Sequence, residues 1–268
     1  MKKVYFQTID WYVCLARGIE ILLSDRMRAV VRLVQPCKSI ADIGCDHGYV
    51  AIDLVQGGIC NQVIAMDIHK GPLDRANHHI IEYGLQEYIE TRLSDGTSAL
   101  RVGEVEGMIC AGMGGKLILS ILESGNALVM QMQQIILQPQ SEIGEVRKYL
   151  RKMGFLIEKE DMVYEDGKYY PMMRVLPRMI QENDIQLKKE QSERFCSVQD
   201  TYGPCLLEMA HPVLKKYLLH KRETLKKISK NLLQQKYNTS RQQNRIAQID
   251  KELSDITFCL YNFFDKDQ

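Results

Sequence analysis

The sequence predicts an α/β protein in which a largely parallel sheet ends in an antiparallel hairpin and a C-terminal helical hairpin follows. Three observations predict it. Between Ser39 and Arg178, short β-branched runs alternate with stretches of helical period, the pattern of βα units. After Gly154 that rhythm gives way to two β runs joined by an Asp-Gly turn. Beyond Gln181, apolar residues recur at steps of three and four. A chain of 268 residues, 45% hydrophobic and 26% charged, has room for one large or two small domains, and this composition excludes a disordered or fibrous protein.

Residues 1–23 form an N-terminal extension to which the sequence assigns no role. The strands expected next are Ser39–Ile43, Gln62–Asp67, Tyr88–Arg92 and Gly107–Ala111, each running into a turn that contains Gly or Asp. Gln133–Gln138 is a fifth, cut off by Pro139. Amphipathic stretches at Pro72–Tyr83 and Lys116–Leu122 lie between them, and Glu142–Met153 places Ile143, Val146, Tyr149 and Leu150 on one helical face. Phe155–Tyr164 and Tyr169–Leu176 pair as the hairpin. In the last third, Leu214, Leu218, Lys221, Leu225, Ile228 and Leu232 line one helix and Ile246, Ile249, Leu253, Ile256 and Leu260 another, separated by polar Gln234–Gln243. Each run is short, so the two are read as an antiparallel coiled-coil hairpin with its turn near Asn238. The expected division is 1–23, 24–180 and 181–268.

Charge and cysteine usage narrow the function. Thirty-five Lys and Arg against 34 Asp and Glu leave a formal charge of +1, which excludes a globally basic protein. The balance is uneven, however: residues 215–245 hold ten cations against one anion, Glu223, a local +9. Such a face suits a phosphate backbone, and Lys215, Lys216, Arg222, Lys226, Lys227, Lys230, Arg241 and Arg245 are the candidate RNA contacts; a merely solvated face is the plain alternative. The eight cysteines show no metal-ligand spacing, so no metal site is expected. Asp10, Arg17 and Glu20 interrupt any leader-like apolar run, and no apolar stretch reaches the ~20 residues of a membrane span. Reduced thiols, a cytoplasmic location and no membrane contact are the expectation.

The chemistry concentrates at strand ends. The first strand runs into Asp42-Ile-Gly44-Cys-Asp46-His47-Gly48, where a nucleotide-binding α/β sheet puts its glycine-rich turn, yet the pattern is not GxGxxG. It follows D/E-x-G-x-G-x-G, the loop of class I S-adenosylmethionine-dependent methyltransferases, with Asp46 in place of the middle glycine. Gly44 and Gly48 let the backbone turn tightly, and a carboxylate at 46 is expected close to the ligand. Asp67 ends the second strand 25 residues after Asp42, placed to accept from two ribose hydroxyls. Asp95-Gly96 follows the third, where such folds contact an adenine amine. Ala111-Gly112-Met113-Gly114-Gly115 follows the fourth and either admits a planar base beside the cofactor or serves tight strand-to-helix packing. A parallel sheet closed by a hairpin also characterises the methyltransferase form of the Rossmann sheet.

These motifs together carry a more specific resemblance. Asp42-Ile-Gly-Cys-Asp-His47, Ala111-Gly-Met-Gly-Gly115, Leu137-Gln-Pro139, Glu165-Asp-Gly167 with Tyr170-Pro171, and Tyr202-Gly-Pro-Cys-Leu-Leu207 with His211-Pro212 resemble the bacterial tRNA (adenine-22-N1)-methyltransferase family, TrmK, from about Ser24 onward. The resemblance implies a class I Rossmann-like domain, a coiled-coil hairpin, and methylation of N1 of an adenosine in the D-arm region of tRNA. Ser24-Asp-Arg26-Met resembles the Ser-Lys-Arg-Leu that opens members, which makes Arg26 a candidate partner of the cofactor's carboxylate.

Under this reading Asp46 accepts from the exocyclic amine and stabilises developing positive charge, while His47 and Tyr49 orient or stack the base. The expected cofactor site is Arg26, Asp42, Gly44, Gly48, Asp67, Asp95, Gly96, Ala111, Gly112 and Met113. Two other classes stand beside it: a non-catalytic S-adenosylmethionine and RNA-binding module, and a methyltransferase for a small molecule or protein.

Overall fold

The computed structural model describes residues 23–177, 193–234 and 239–264. The extension, apart from Leu23, the expected boundary near 180 and the turn near Asn238 lie outside them.

Helix α1 (Asp25–Leu33), whose Ser24 hydroxyl accepts from the Met27 amide, leads into β1 (Cys37–Ile43). Then come α2 (Tyr49–Gln56), β2 (Cys60–Asp67), α3 (Lys70–Glu82), β3 (Ile89–Leu93) and β4 (Gly107–Met113). Two helices, α4 (Gly115–Ser124) and the short α5 (Asn126–Val129), precede β5 (Gln134–Pro139). Helix α6 (Ile143–Lys152) leads to the hairpin of β6 (Leu156–Glu165) and β7 (Lys168–Leu176).

The seven strands form one sheet in the order β3-β2-β1-β4-β5-β7-β6, parallel through β5, with β7 antiparallel to both β5 and β6. The expected fold class is thus observed. Strands β1 and β2 begin two residues earlier than their apolar patterns suggest, because Cys37 pairs with Cys60 and the polar residues between them and the core still sit in the ladder. Strand β4 runs on past Ala111 through a bulge at Gly112, whose φ of 77° suits glycine.

Alternation along the central strands divides the core between the two faces. Ile40 and Ile109 pack with Val30, Leu33, Leu54 and Ile80 on one face, and Ala41, Ile43 and Met108 with Ile118, Leu122, Val146 and Leu150 on the other. A third cluster joins Met162 of β6 to α7 (Glu193–Tyr202), α8 (Pro204–Glu208), α9 (Pro212–Leu233) and α10 (Ser240–Cys259).

Helices α9 and α10 pack as the expected antiparallel hairpin: Leu214, Leu218 and Leu225 face Ile249, Ile256 and Cys259, while Lys221 meets Glu252 at 3.1 Å and Lys215 lies over Phe264 at 6.0 Å. Within the polar stretch read as the separator, Ser240–Gln243 is helical. Thr239 and Gln242 close a capping box there, and an exposed helical turn needs no apolar residue.

The seam between sheet and C-terminal helices centres on a buried ion pair. Arg147 Nε donates to Glu160 Oε1 at 2.8 Å, with the residues 2% and 1% exposed. Arg147 Nη1 also donates to the Asp200 and Thr201 carbonyls, and Glu160 Oε2 accepts the Cys205 amide at 2.9 Å. A Cβ at Gly203 would stand 2.6 Å from Glu160 Oε2, so no side chain fits where α8 begins. Glu160→Ala leaves a buried guanidinium without its charge partner and should lower the unfolding free energy by about 3–5 kcal/mol in denaturant titrations.

Candidate active site

The order of the sheet reverses between β1 and β4, where α/β sheets open a crevice at their carboxyl ends. The glycine loop leaves β1 there. Gly44 and Cys45 donate backbone hydrogen bonds to the Met66 carbonyl at 2.7 and 2.9 Å, and Gly48 donates to the Cys45 carbonyl at 2.8 Å. Three of its residues occupy left-handed backbone: Gly44 at φ 75°, Asp46 at 48° and Gly48 at 73°. Gly48 has a second constraint, since a Cβ would lie 3.0 Å from that of Ala76 on α3.

A cavity of about 340 Å³ opens above this loop, within the size range of small-molecule sites. It gathers Arg26, Asp42, Gly44, Asp46, His47, Tyr49, Ala111 and Gly112 of the expected site residues. Asp42 forms its inner wall, buried, with Oδ2 lacking any hydrogen-bond partner. Burial, and secondarily the Asp67 carboxylate, push its pKa up to about 7. Arg26 approaches from α1: Nη1 donates to Gln138 Oε1 at 3.1 Å and the guanidinium lies 5.1 Å above the Tyr170 ring. Gln138 Oε1 also accepts the Gly112 amide at 3.0 Å, tying the β4 bulge to the same arginine.

The remaining expected cofactor residues stand outside this lining. Gly48 closes the loop against Ala76 of α3, and Met113 lies behind Gly44. Asp67 caps the tip of β2, accepting the His69 amide at 2.9 Å, and Asp95 is exposed beside Gly96 on the loop after β3.

Asp46 differs from expectation. Its side chain is 64% exposed and Oδ1 accepts from Arg75 Nη2 at 2.9 Å, so it stands at the rim rather than in a confined space. The left-handed backbone turns it outward. His47, Tyr49 and His79 form a stack beside it, with ring centroids 5.9 Å apart for His47 and Tyr49 and 4.6 Å for Tyr49 and His79. Sequence reasoning gave no site role to Arg75, His79, Gln138 or Tyr170, although Gln138 and Tyr170 stand in motifs that carry the resemblance. Arg75 and His79, four residues apart, share a helical face with Ala76, and that spacing was the available signal. Of the glycines after β4, Gly115 serves packing, because a Cβ would be 2.4 Å from the Ser141 carbonyl oxygen.

The donor set suits S-adenosylmethionine. A buried carboxylate without a partner matches an ammonium, and a guanidinium lining the same cavity matches a carboxylate. The methyltransferase-domain family matches residues 23–173. This chain belongs to that family. The chain is 33% identical over 154 residues to the tRNA (adenine(22)-N(1))-methyltransferase of Bacillus subtilis, a match that covers 58% of this chain and 65%, less than two thirds, of the relative. Its fold is similar to that of the B. subtilis m1A22 tRNA methyltransferase TrmK, with a TM-score of 0.76 and 26% identity, covering 90% of this chain and 100% of the other. A putative tRNA (m1A22) methyltransferase of Streptococcus pneumoniae in complex with S-adenosyl-L-methionine gives 0.74 and 26%, covering 89% and 100%.

The basic hairpin carries less free charge than its sequence count. Glu252 on α10 pairs with Lys221, and Glu223 takes Lys226 at 3.1 Å and Arg222 at 3.6 Å. Lys216, Lys227, Lys230, Arg241 and Arg245 are exposed, and Lys236 lies outside the described residues. Among the described residues, no His, Cys, Asp and Glu cluster could hold a metal ion and no helix is long and apolar enough to cross a membrane.

The raised pKa of Asp42 has a consequence for stability. Its folded-state pKa lies above its unfolded value of 3.8, so the folded protein binds the extra proton between about pH 4 and 7 and loses stability as pH rises through that window. Above pH 7 the ionised carboxylate costs up to about 4 kcal/mol. Asp42→Asn should therefore melt higher than the parent at pH 8 and show a smaller advantage at pH 5 in thermal scans.

Proposed function

We propose that this methyltransferase transfers the methyl group of S-adenosylmethionine to N1 of adenosine 22 in tRNA. The observation that carries the proposal is the cavity at the β1–β4 switch point, lined by both the unpartnered buried carboxylate of Asp42 and the guanidinium-bearing Arg26. Its likeness to m1A22 enzymes supports the substrate. The proposal places the protein in the cytoplasm, where tRNA is found.

In this reading Asp42 accepts the ammonium of the methionine moiety and Arg26 holds its carboxylate. Asp67 takes the ribose hydroxyls, and Asp95 with Gly96 borders the adenine. The cofactor supplies an electrophilic methyl on a sulfonium. Gly44, Gly48, Ala111, Gly112 and Met113 shape the backbone around it.

The acceptor atom is a ring nitrogen whose lone pair is engaged in a base pair, so the target must be unpaired or turned out of its stack at a cost of a few kcal/mol. His47 and Tyr49 offer that base a ring surface at the mouth of the cavity. Asp46, oriented by Arg75, places negative charge where the ring becomes cationic. Placement of the nitrogen in line with the methyl provides most of the rate.

The seam at Arg147 and Glu160 bonds α7 and α8 to the sheet that carries this cavity, and Lys215, Lys216, Arg222, Lys226, Lys227, Lys230, Arg241 and Arg245 of the helices that follow would track the tRNA backbone. Incubation with unmodified tRNA and labelled S-adenosylmethionine, followed by nucleoside analysis, should give 1-methyladenosine that disappears when adenosine 22 is replaced. A labelled product on a small molecule or protein, or no turnover despite binding, would select one of the two other classes. Charge reversal at Lys216, Lys227 and Lys230 should weaken tRNA binding and flatten its dependence on salt, leaving cofactor affinity within about twofold in calorimetry.

A further inference from the structure

We infer that Tyr49, with its hydroxyl proton held by His79, reads the exocyclic amine of the target adenine, so that the mouth of the cavity accepts only a base edge carrying a hydrogen-bond donor. The inference rests on the proposed function and goes further, from the reaction to the residue that sets base specificity.

The polarity follows from one ring. His79 Nδ1 lies 2.9 Å from the carbonyl oxygen of His47, and a carbonyl only accepts, so Nδ1 carries the hydrogen. In the neutral imidazole, Nε2 is then the acceptor. Tyr49 Oη stands 3.2 Å from it and donates its single proton there. What remains on that oxygen is lone pairs.

The second polar group at the rim has the same sign. Asp46 is a carboxylate whose Oδ1 is occupied by Arg75, with Oδ2 3.7 Å from His47 Nε2. Tyr49 and Asp46 both line the cavity, and together they present acceptors.

Adenine offers an amine beside the N1 lone pair. Guanine offers a carbonyl beside an N–H at the same two positions, so its oxygen would face acceptors and remain unpaired. Sites that leave a polar group without a partner reject the wrong ligand strongly. The stack of His47, Tyr49 and His79, with interplanar angles of 12° and 19° about Tyr49, fixes the plane in which the hydroxyl points. His79 is a positioning residue here, acting through Tyr49.

The test pairs an enzyme change with a substrate change. Full-length protein is given tRNA transcripts with adenosine or purine riboside, the same ring without the amine, at position 22, and single-turnover rates are measured at saturating S-adenosylmethionine. The adenosine-to-purine-riboside rate ratio should fall about tenfold in Tyr49→Phe. It should fall similarly in His79→Phe, which keeps a ring in the stack and loses both hydrogen bonds. Because each ratio uses one preparation, partial loss of folded enzyme cancels. An unchanged ratio in both variants, with adenosine 22 still methylated, would overturn this inference alone; a parent protein that leaves adenosine 22 unmethylated would overturn the proposed function and the inference with it.

Discussion

The Arg147–Glu160 pair is the interaction on which the two halves of the molecule depend. Both groups are withdrawn from water, which is costly unless each charge is compensated, and here the compensation comes from both sides of the seam. Arg147 belongs to α6 and Glu160 to β6, while their remaining hydrogen bonds go to the backbone of α7 and α8. A second layer surrounds them: Arg151 meets Asp200 at 2.6 Å, and His211 meets Asp161 at 3.1 Å. The C-terminal helices are thus bonded to the hairpin edge of the sheet through directional polar contacts as well as apolar packing.

At the opposite end of the central strands, the structure accepts an unfavourable arrangement. A buried carboxylate without a hydrogen bond destabilises the isolated protein, and the neighbouring Asp67 increases that cost. A cationic ligand in the cavity would supply the missing partner. Left-handed residues cluster in the loop next to it, at 44, 46 and 48. Unsatisfied polarity is not confined to the cavity, since Arg147 Nη2 in the seam and Arg222 Nε on α9 are also buried without a hydrogen-bond partner, but the Asp42 carboxylate is the one that a ligand in the cavity can relieve.

Helix α3 joins these two themes. Ala76 packs under Gly48, Arg75 holds Asp46, and His79 holds both the His47 carbonyl and the Tyr49 hydroxyl. A single helical face therefore sets the shape of the loop, the direction of its carboxylate and the polarity of its phenol. Side chains of one helix thus decide how those of the loop are presented.

Much of the fold was legible in the chain because period and turn chemistry are local properties. The β-branched runs, the Asp166-Gly167 turn and the three-four steps of α9 and α10 each follow from neighbours a few residues apart. Strand ends were less legible: Cys37 and Cys60 enter the ladder through pairing with each other, and Ser240 enters a helix through a cap on its exposed side. Of the candidate site, the sequence alone determined the left-handed glycines, the acidic strand ends and the aromatic pair after the loop. Only the tertiary structure decided that Asp46 turns outward to Arg75, that Glu252 neutralises Lys221, and that Gln138 and Tyr170 hold Arg26. The physical reason is the same in each case. A side chain's charge and hydrogen-bonding capacity are written in its type, but its partner is chosen by elements that meet only when the sheet and helices pack.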